Sequence, residues 1–129
     1  MNGPQKATDV SHFLKDVKGT LGGKAEDGNY GWRFIPRQKN LDCLADLGFV
    51  LPDVKTTLLE LTVSDFCDGP IQDADTRGDL WIFGKVIDGK EVYIKIKLAQ
   101  IGPLRIVKVV SFHFAEGPLF YPCKQGEQR

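Results

Sequence analysis

Between Asp79 and Phe114, apolar and polar residues alternate through three strand-like runs, DLWIFGKVI, KEVYIKIKL and LRIVKVVSFHF. In the middle run Val92, Ile94, Ile96 and Leu98 alternate with Glu91, Tyr93, Lys95 and Lys97, the period of two that separates the faces of a half-buried strand. One face makes core, and the other carries a phenol and two ammonium groups. The third run alternates less cleanly, but in a regular strand Phe112 and Phe114 point opposite to Ser111 and His113. An imidazole therefore shares a surface with Tyr93 and Lys95. Asp88-Gly89, between the first two runs, predicts a hairpin with a primed turn. Its register decides the place of Lys85. A two-residue loop sets Ile82 and Gly84 beside Lys95 and Tyr93, whereas a longer, bulged loop brings Phe83 and Lys85 to that face.

Upstream, the pattern changes to the helical period. Val10, Phe13, Leu14 and Val17 mark one side of a short helix over Asp9 to Lys18, behind a frayed start. The glycine-rich stretch GTLGGKAEDGNYG predicts a mobile loop, and WRFIP (Trp32 to Pro36) a short strand. Asn40 is read as the N-cap of a helix over Leu41 to Leu47, which Gly48 stops. A second helix is expected from Pro52 to about Leu61, with Pro in its first turn and Asp53 at its positive end. SDFCDGPIQDADTRGD fits neither period and is read as a long irregular loop. After the third strand EGPLFYPCK is expected to pack Leu119, Phe120 and Tyr121 back on the domain, and Trp32 and Trp81 are expected in the core.

These elements predict an α+β domain. Its small antiparallel sheet holds three C-terminal strands and a short N-terminal one, packed against two or three short helices. The 129 residues suit one domain: a partly flexible segment over 1–31, a core over 32–122 and a tail over 123–129. No run approaches the roughly 20 apolar residues needed to span a bilayer, and the start lacks the pattern of a secretory signal. A cytoplasmic protein with no membrane contact is expected. The three cysteines, Cys43, Cys67 and Cys123, are widely spaced and read as free thiols in a reducing compartment.

Net charge is zero, but its distribution is uneven. Residues 1–40 carry seven basic against four acidic residues (+3), residues 41–84 two against nine (−7), and residues 85–129 eight against four (+4). Screening at physiological salt confines each charge to about 8 Å, so a basic C-terminal sheet can hold a phosphate chain inside a neutral protein. The acidic middle must fold away from it or dock something basic. Asp68, Asp73, Asp75 and Asp79 lack the spacing of a calcium loop, and neither metal nor cofactor is expected. The chain also lacks G-x-S-x-G, H-E-x-x-H and the glycine-rich phosphate loops.

Histidine, with an ordinary pKa of about 6.5, trades protons near neutrality. Lysines stabilise charge on phosphate oxygens, and a tyrosine hydrogen-bonds or stacks on a base. Such a set suits metal-free RNA cleavage, in which a base activates the ribose 2′-OH for attack on the adjacent phosphorus. His113, Lys95, Tyr93 and, subject to register, Lys85 are the candidate catalytic residues. Arg77, Lys97 and Ser111 are candidates for holding substrate.

The order of segments is similar to that of the MqsR family of bacterial type II toxins, mRNA interferases with a RelE-like fold. ADLGFVLPDVKTTLLELTVSDF resembles its leucine-glycine helix end, second helix and Ser-Asp-Phe loop. DLWIFGK resembles its tryptophan-bearing strand, VYIKIK its Val-Tyr-x-Lys-Ile strand, and VVSFHF its terminal Val-Ser-Phe-Lys strand. The resemblance implies that Tyr93 and Lys95 fall on catalytic positions and His113 on that of a lysine. Asp68 stands where the family has a catalytic lysine and Ile82 where it has a glutamine, which implies either that His113 with Lys85 or Arg77 takes over the vacated roles or that cleavage is lost and only binding kept. It further implies mRNA as substrate, on or off the ribosome, and an antitoxin partner that docks on the acidic loop from Asp65 to Asp79 or covers the basic sheet face. The alternatives are an RNA- or protein-binding module without catalysis on the same fold, and a structural domain that assembles through a sheet edge.

Overall fold

The computed structural model describes residues 3–22 and 31–124. In these, α1 (Gly3–Gly22), α2 (Gln38–Leu47) and α3 (Leu51–Leu59) pack on one face of a five-stranded sheet. Its strands are β1 (Trp32–Phe34), β2 (Phe66–Gln72), β3 (Asp79–Ile87), β4 (Lys90–Ile101) and β5 (Leu104–Phe114), in the order β1-β5-β4-β3-β2. β1 runs parallel to β5 and every other pair is antiparallel. The fold is α+β, an open sheet with three helices, compatible with a small RelE-like domain. No helix among the described residues is long and apolar enough to cross a membrane.

α1 is twice the expected length. Leu21 continues the stripe of Val10, Phe13, Leu14 and Val17 and is 2% exposed. Burying a leucine gains about 1.5–3 kcal/mol, more than the roughly 1 kcal/mol that a helical glycine such as Gly19 costs. The helix therefore runs through the start of the glycine-rich stretch, and the rest of the loop reading, 23–30, lies outside the described residues.

Two other readings are corrected. The irregular loop contains β2, which pairs with β3 through two register shifts. Gly69 and Pro70 hid it, and they are tolerated because β2 is an edge strand whose outer backbone groups need no partner. Asn40 is not a cap: α2 begins at Gln38 behind Arg37, and Asn40 is wholly buried inside it. Gly48, in the left-handed region at φ 69°, stops the helix as expected. Pro52 lies in the first turn of α3, and Asp53 accepts the Val50 N–H at 2.8 Å.

The β3–β4 hairpin closes through Asp88 and Gly89, with φ 53° and 79°, and Ile87 pairs with Lys90. This is the two-residue register. Phe83, Ile94 and Ile96 therefore face the helices, where Phe13 stacks on Trp81 at 4.4 Å. Both tryptophans pack against the core. β5 carries a bulge: Lys95 pairs with Ser111, but Ile96 pairs with Val109, leaving Val110 as the extra residue. The bulge changes the parity of the strand. Val107 and Val109 before it and Phe112 after it all reach the core, which is why the sequence alternates imperfectly there.

Beyond β5, Leu119 and Tyr121 lie over Gly84 on the helix-free face, where an added Cβ would meet the Tyr121 hydroxyl and Leu119 Cδ1 (2.7 Å). Glu91 fastens this segment by accepting from the Leu119 N–H at 3.1 Å and the Tyr121 hydroxyl at 2.7 Å. Phe120 was expected to pack with them and instead is 76% exposed, because in an extended segment it points away from its neighbours.

Candidate functional site

The helix-free face of the sheet is organised in cross-strand rungs. Tyr93 pairs with His113 on one side and Gly84 on the other, and Lys95 pairs with Ser111 and Ile82. The rings of Tyr93 and His113 stack at 5.2 Å with planes 24° apart. His113 Nδ1 lies 3.0 Å from the Phe114 carbonyl oxygen. A carbonyl only accepts, so in the neutral ring Nδ1 carries the proton and Nε2 holds the lone pair. The imidazole is thus set up as a base at Nε2.

These side chains form the floor of a cleft of about 740 Å³. The start of α2, with Arg37, Gln38 and Lys39, is one wall, and Glu116 to Leu119 is the other. Lys39 reaches across to Glu116 at 2.5 Å. Both ends of this pair stand in water, so it opens readily. Lys39 holds the Glu116 carboxyl below its usual range, and His113 adds a smaller effect. Burial raises the Tyr93 phenol above its ordinary value, with Asp68 and Cys67 adding to the rise, so Tyr93 is a hydrogen-bond donor at neutral pH. Burial also pushes the Cys67 thiol up to about 12 and the Cys43 thiol to about 11. Both stay protonated and chemically quiet near neutrality.

Tyr93, Lys95, Ser111 and His113 come together as the sequence pattern required. Lys85 does not. In the two-residue register it pairs with Val92 on the other side of the sheet, where its ammonium meets Asp65 at 3.3 Å and the Glu60 carbonyl at 3.4 Å. Lys97 does face the right way but is 1% exposed. Its ammonium donates to Asp73 at 2.7 Å, to the Arg77 carbonyl at 2.8 Å and to the Thr76 hydroxyl, which uses all three donors. It holds the β2–β3 connection and is closed to substrate. Arg77 lines not this cleft but another cavity farther along the sheet.

The Lys97–Asp73 contact has a pH signature. Hydrogen bonding to Lys97 lowers the Asp73 carboxyl far below its usual range, with further help from the Asp75 N–H. A depressed carboxylate contributes stability above its unfolded pKa and loses it as pH falls through the folded one. Thermal stability of the wild type should therefore fall as pH drops below the usual carboxylate range, and Lys97→Met should flatten that acid limb. Equal slopes in the two proteins would sink the assignment.

Sequence reasoning missed Arg37 and Lys39. Neither lies on a strand. They reach the cleft because α2 begins beside β5, and the only local trace is Pro36, which ends the extended segment just before them. No family model matches the chain, and no curated protein or solved structure does.

Proposed function

We propose that this protein is a metal-independent endoribonuclease of the type II toxin kind, acting on mRNA in the cytoplasm and neutralised by an antitoxin. One observation carries the chemistry: a single open cleft gathers an imidazole with a free Nε2, a protonated phenol and the cations Arg37 and Lys95. The segments quoted above, similar to those of the MqsR family, support the toxin role. In the cleft His113 Nε2 takes the 2′-OH proton, O2′ attacks phosphorus, and the bond from phosphorus to O5′ breaks. Arg37 and Lys95 stabilise the non-bridging oxygens, and Tyr93 gives its phenolic proton to the departing O5′, leaving a 5′-hydroxyl. Arg37 supplies the positive charge that Asp68, at the family's lysine position, cannot. An acidic antitoxin segment fits the same cations.

Purified protein should cut a mixed-sequence RNA in the presence of EDTA, leaving 2′,3′-cyclic phosphate and 5′-hydroxyl ends. An intact RNA, with translating ribosomes added as well, would leave a binding module as the account of the cleft. Asp68 favours that second reading, because its carboxylate lies close enough to Tyr93 to act on the phenol and would repel phosphate.

A further inference from the structure

Three cavities open on the helix-free face and share walls. Arg37 and Lys95 line both the catalytic cleft and a smaller cavity of about 160 Å³. Thr76 and Lys108 line both that cavity and a third of about 700 Å³. Together they make one groove from His113 to Ile101, at the far end of the β4–β5 hairpin. At about 3.3 Å per residue, the part of β4 from Tyr93 to Ile101 spans roughly 26 Å.

The charge along this groove is one-sided. Arg33, Arg37, Arg77, Lys95 and Lys108 line it, and none of them forms an ion pair among the described residues. The ion pairs among the described residues engage Lys39, Lys85 and Lys97 instead, and that of Lys85 lies on the other face of the sheet. Of the two acids in the middle section, Asp73 is bound to Lys97, which leaves Asp75. Arg33, Lys108 and Lys97 form one rung across β1, β5 and β4, and the β5 bulge is what turns Lys108 to the same face as His113. Like charges side by side disfavour the sheet unless an anion joins them. Asp73 answers Lys97, and among the described residues no acidic side chain pairs with Arg33 or Lys108. Past this rung the lining is mostly aliphatic: Ala99 and Ile101 beside Gln100, over the buried Ile106, with Ile101 53% exposed.

We propose that the groove is a track for an extended single strand of RNA. Its phosphates pass from Lys95 to Lys108 and Arg33 and on to Arg77, its bases rest on Ala99 and Ile101, and the linkage to be cut lies at Tyr93 and His113. This rests on the ribonuclease reading and adds its substrate class: an unpaired segment of about four nucleotides or more, the scale on which small domains hold single strands. A duplex keeps its bases stacked inside and cannot lay them on the apolar lining.

The test uses a 2′-O-methyl RNA of about ten nucleotides, which lacks the attacking hydroxyl and binds without being cut. Its affinity is measured by fluorescence anisotropy over a range of salt. Arg33→Ala/Lys108→Ala, changed outside the catalytic cleft, should lower the slope of log affinity against log salt by about 1.4, at about 0.7 per phosphate contact in a single strand. Binding of a 2′-O-methyl dinucleotide should not change. An unaltered slope for the long strand overturns the track, as does equal affinity for a duplex of the same sequence or for polyglutamate. A lowered slope in a protein that leaves unmodified RNA uncut supports the track and brings down the ribonuclease reading alone.

Discussion

His113→Ala is expected to slow RNA cleavage by about 10²–10⁴-fold, the usual share of a positioned acid–base group. The expectation follows from the local geometry. The Phe114 carbonyl fixes the proton on Nδ1, and the Tyr93 ring stacks against the imidazole, so Nε2 is held in one place with its lone pair free. Removing the ring takes away the base and leaves Lys95 and Arg37 to bind phosphate, so affinity for uncleavable RNA should change little. That split between rate and binding separates a catalytic histidine from one that shapes the cleft. Lys85→Ala is the matching control: its ammonium is spent on Asp65 across the sheet, and cleavage should proceed as in the wild type. If His113→Ala keeps cleavage within a few-fold, or Lys85→Ala loses it, the assignment of roles is wrong. Expression in a bacterial host offers a second readout, in which His113→Ala should relieve growth inhibition.

Much of this site was legible because a strand's period of two is a strong constraint. Once Val92, Ile94 and Ile96 were assigned to the core, Tyr93 and Lys95 had to share the other face, and Asp88-Gly89 narrowed the hairpin to two registers. Choosing between those registers took the backbone itself, and that choice removed Lys85. Lys97 shows a different limit. Its face was predicted correctly, but its burial depends on where the β2–β3 connection folds back, and a segment of Asp, Gly and Pro carries no periodic signal to say so. Arg33, Arg37 and Lys108 were overlooked for a third reason. Their joint position follows from β1 lying parallel to β5 and from the bulge at Val110, both long-range pairings that no local pattern encodes.

Asn40→Ala is expected to cost about 2–6 kcal/mol of folding stability, taking about 1–3 for each of two buried groups left without a partner. β1 ends at Phe34, and the edge of β5 beyond Val109 has no strand beside it. The Asn40 amide fills that place: its nitrogen donates to the Val110 carbonyl at 3.1 Å and to the Ile35 carbonyl at 2.9 Å, and its oxygen accepts the Phe112 N–H at 3.0 Å. One side chain thus completes the hydrogen bonding on both sides of the bulge that sets Ser111 and His113 facing the cleft. Against a total stability of about 5–15 kcal/mol for a small domain, the loss is large enough to read in a single denaturant titration. Asp46→Ala, exposed on the same helix, should stay within about 0.5 kcal/mol and calibrates the measurement. If Asn40→Ala cost no more than Asp46→Ala, the amide would not be what holds the bulge. The same variant links folding to chemistry: in Asn40→Ala protein that is still folded, a loosened bulge should lower the cleavage rate more than the affinity for uncleavable RNA, because phosphate can still find Lys95 and Arg37 while Nε2 no longer keeps its distance from the 2′-OH.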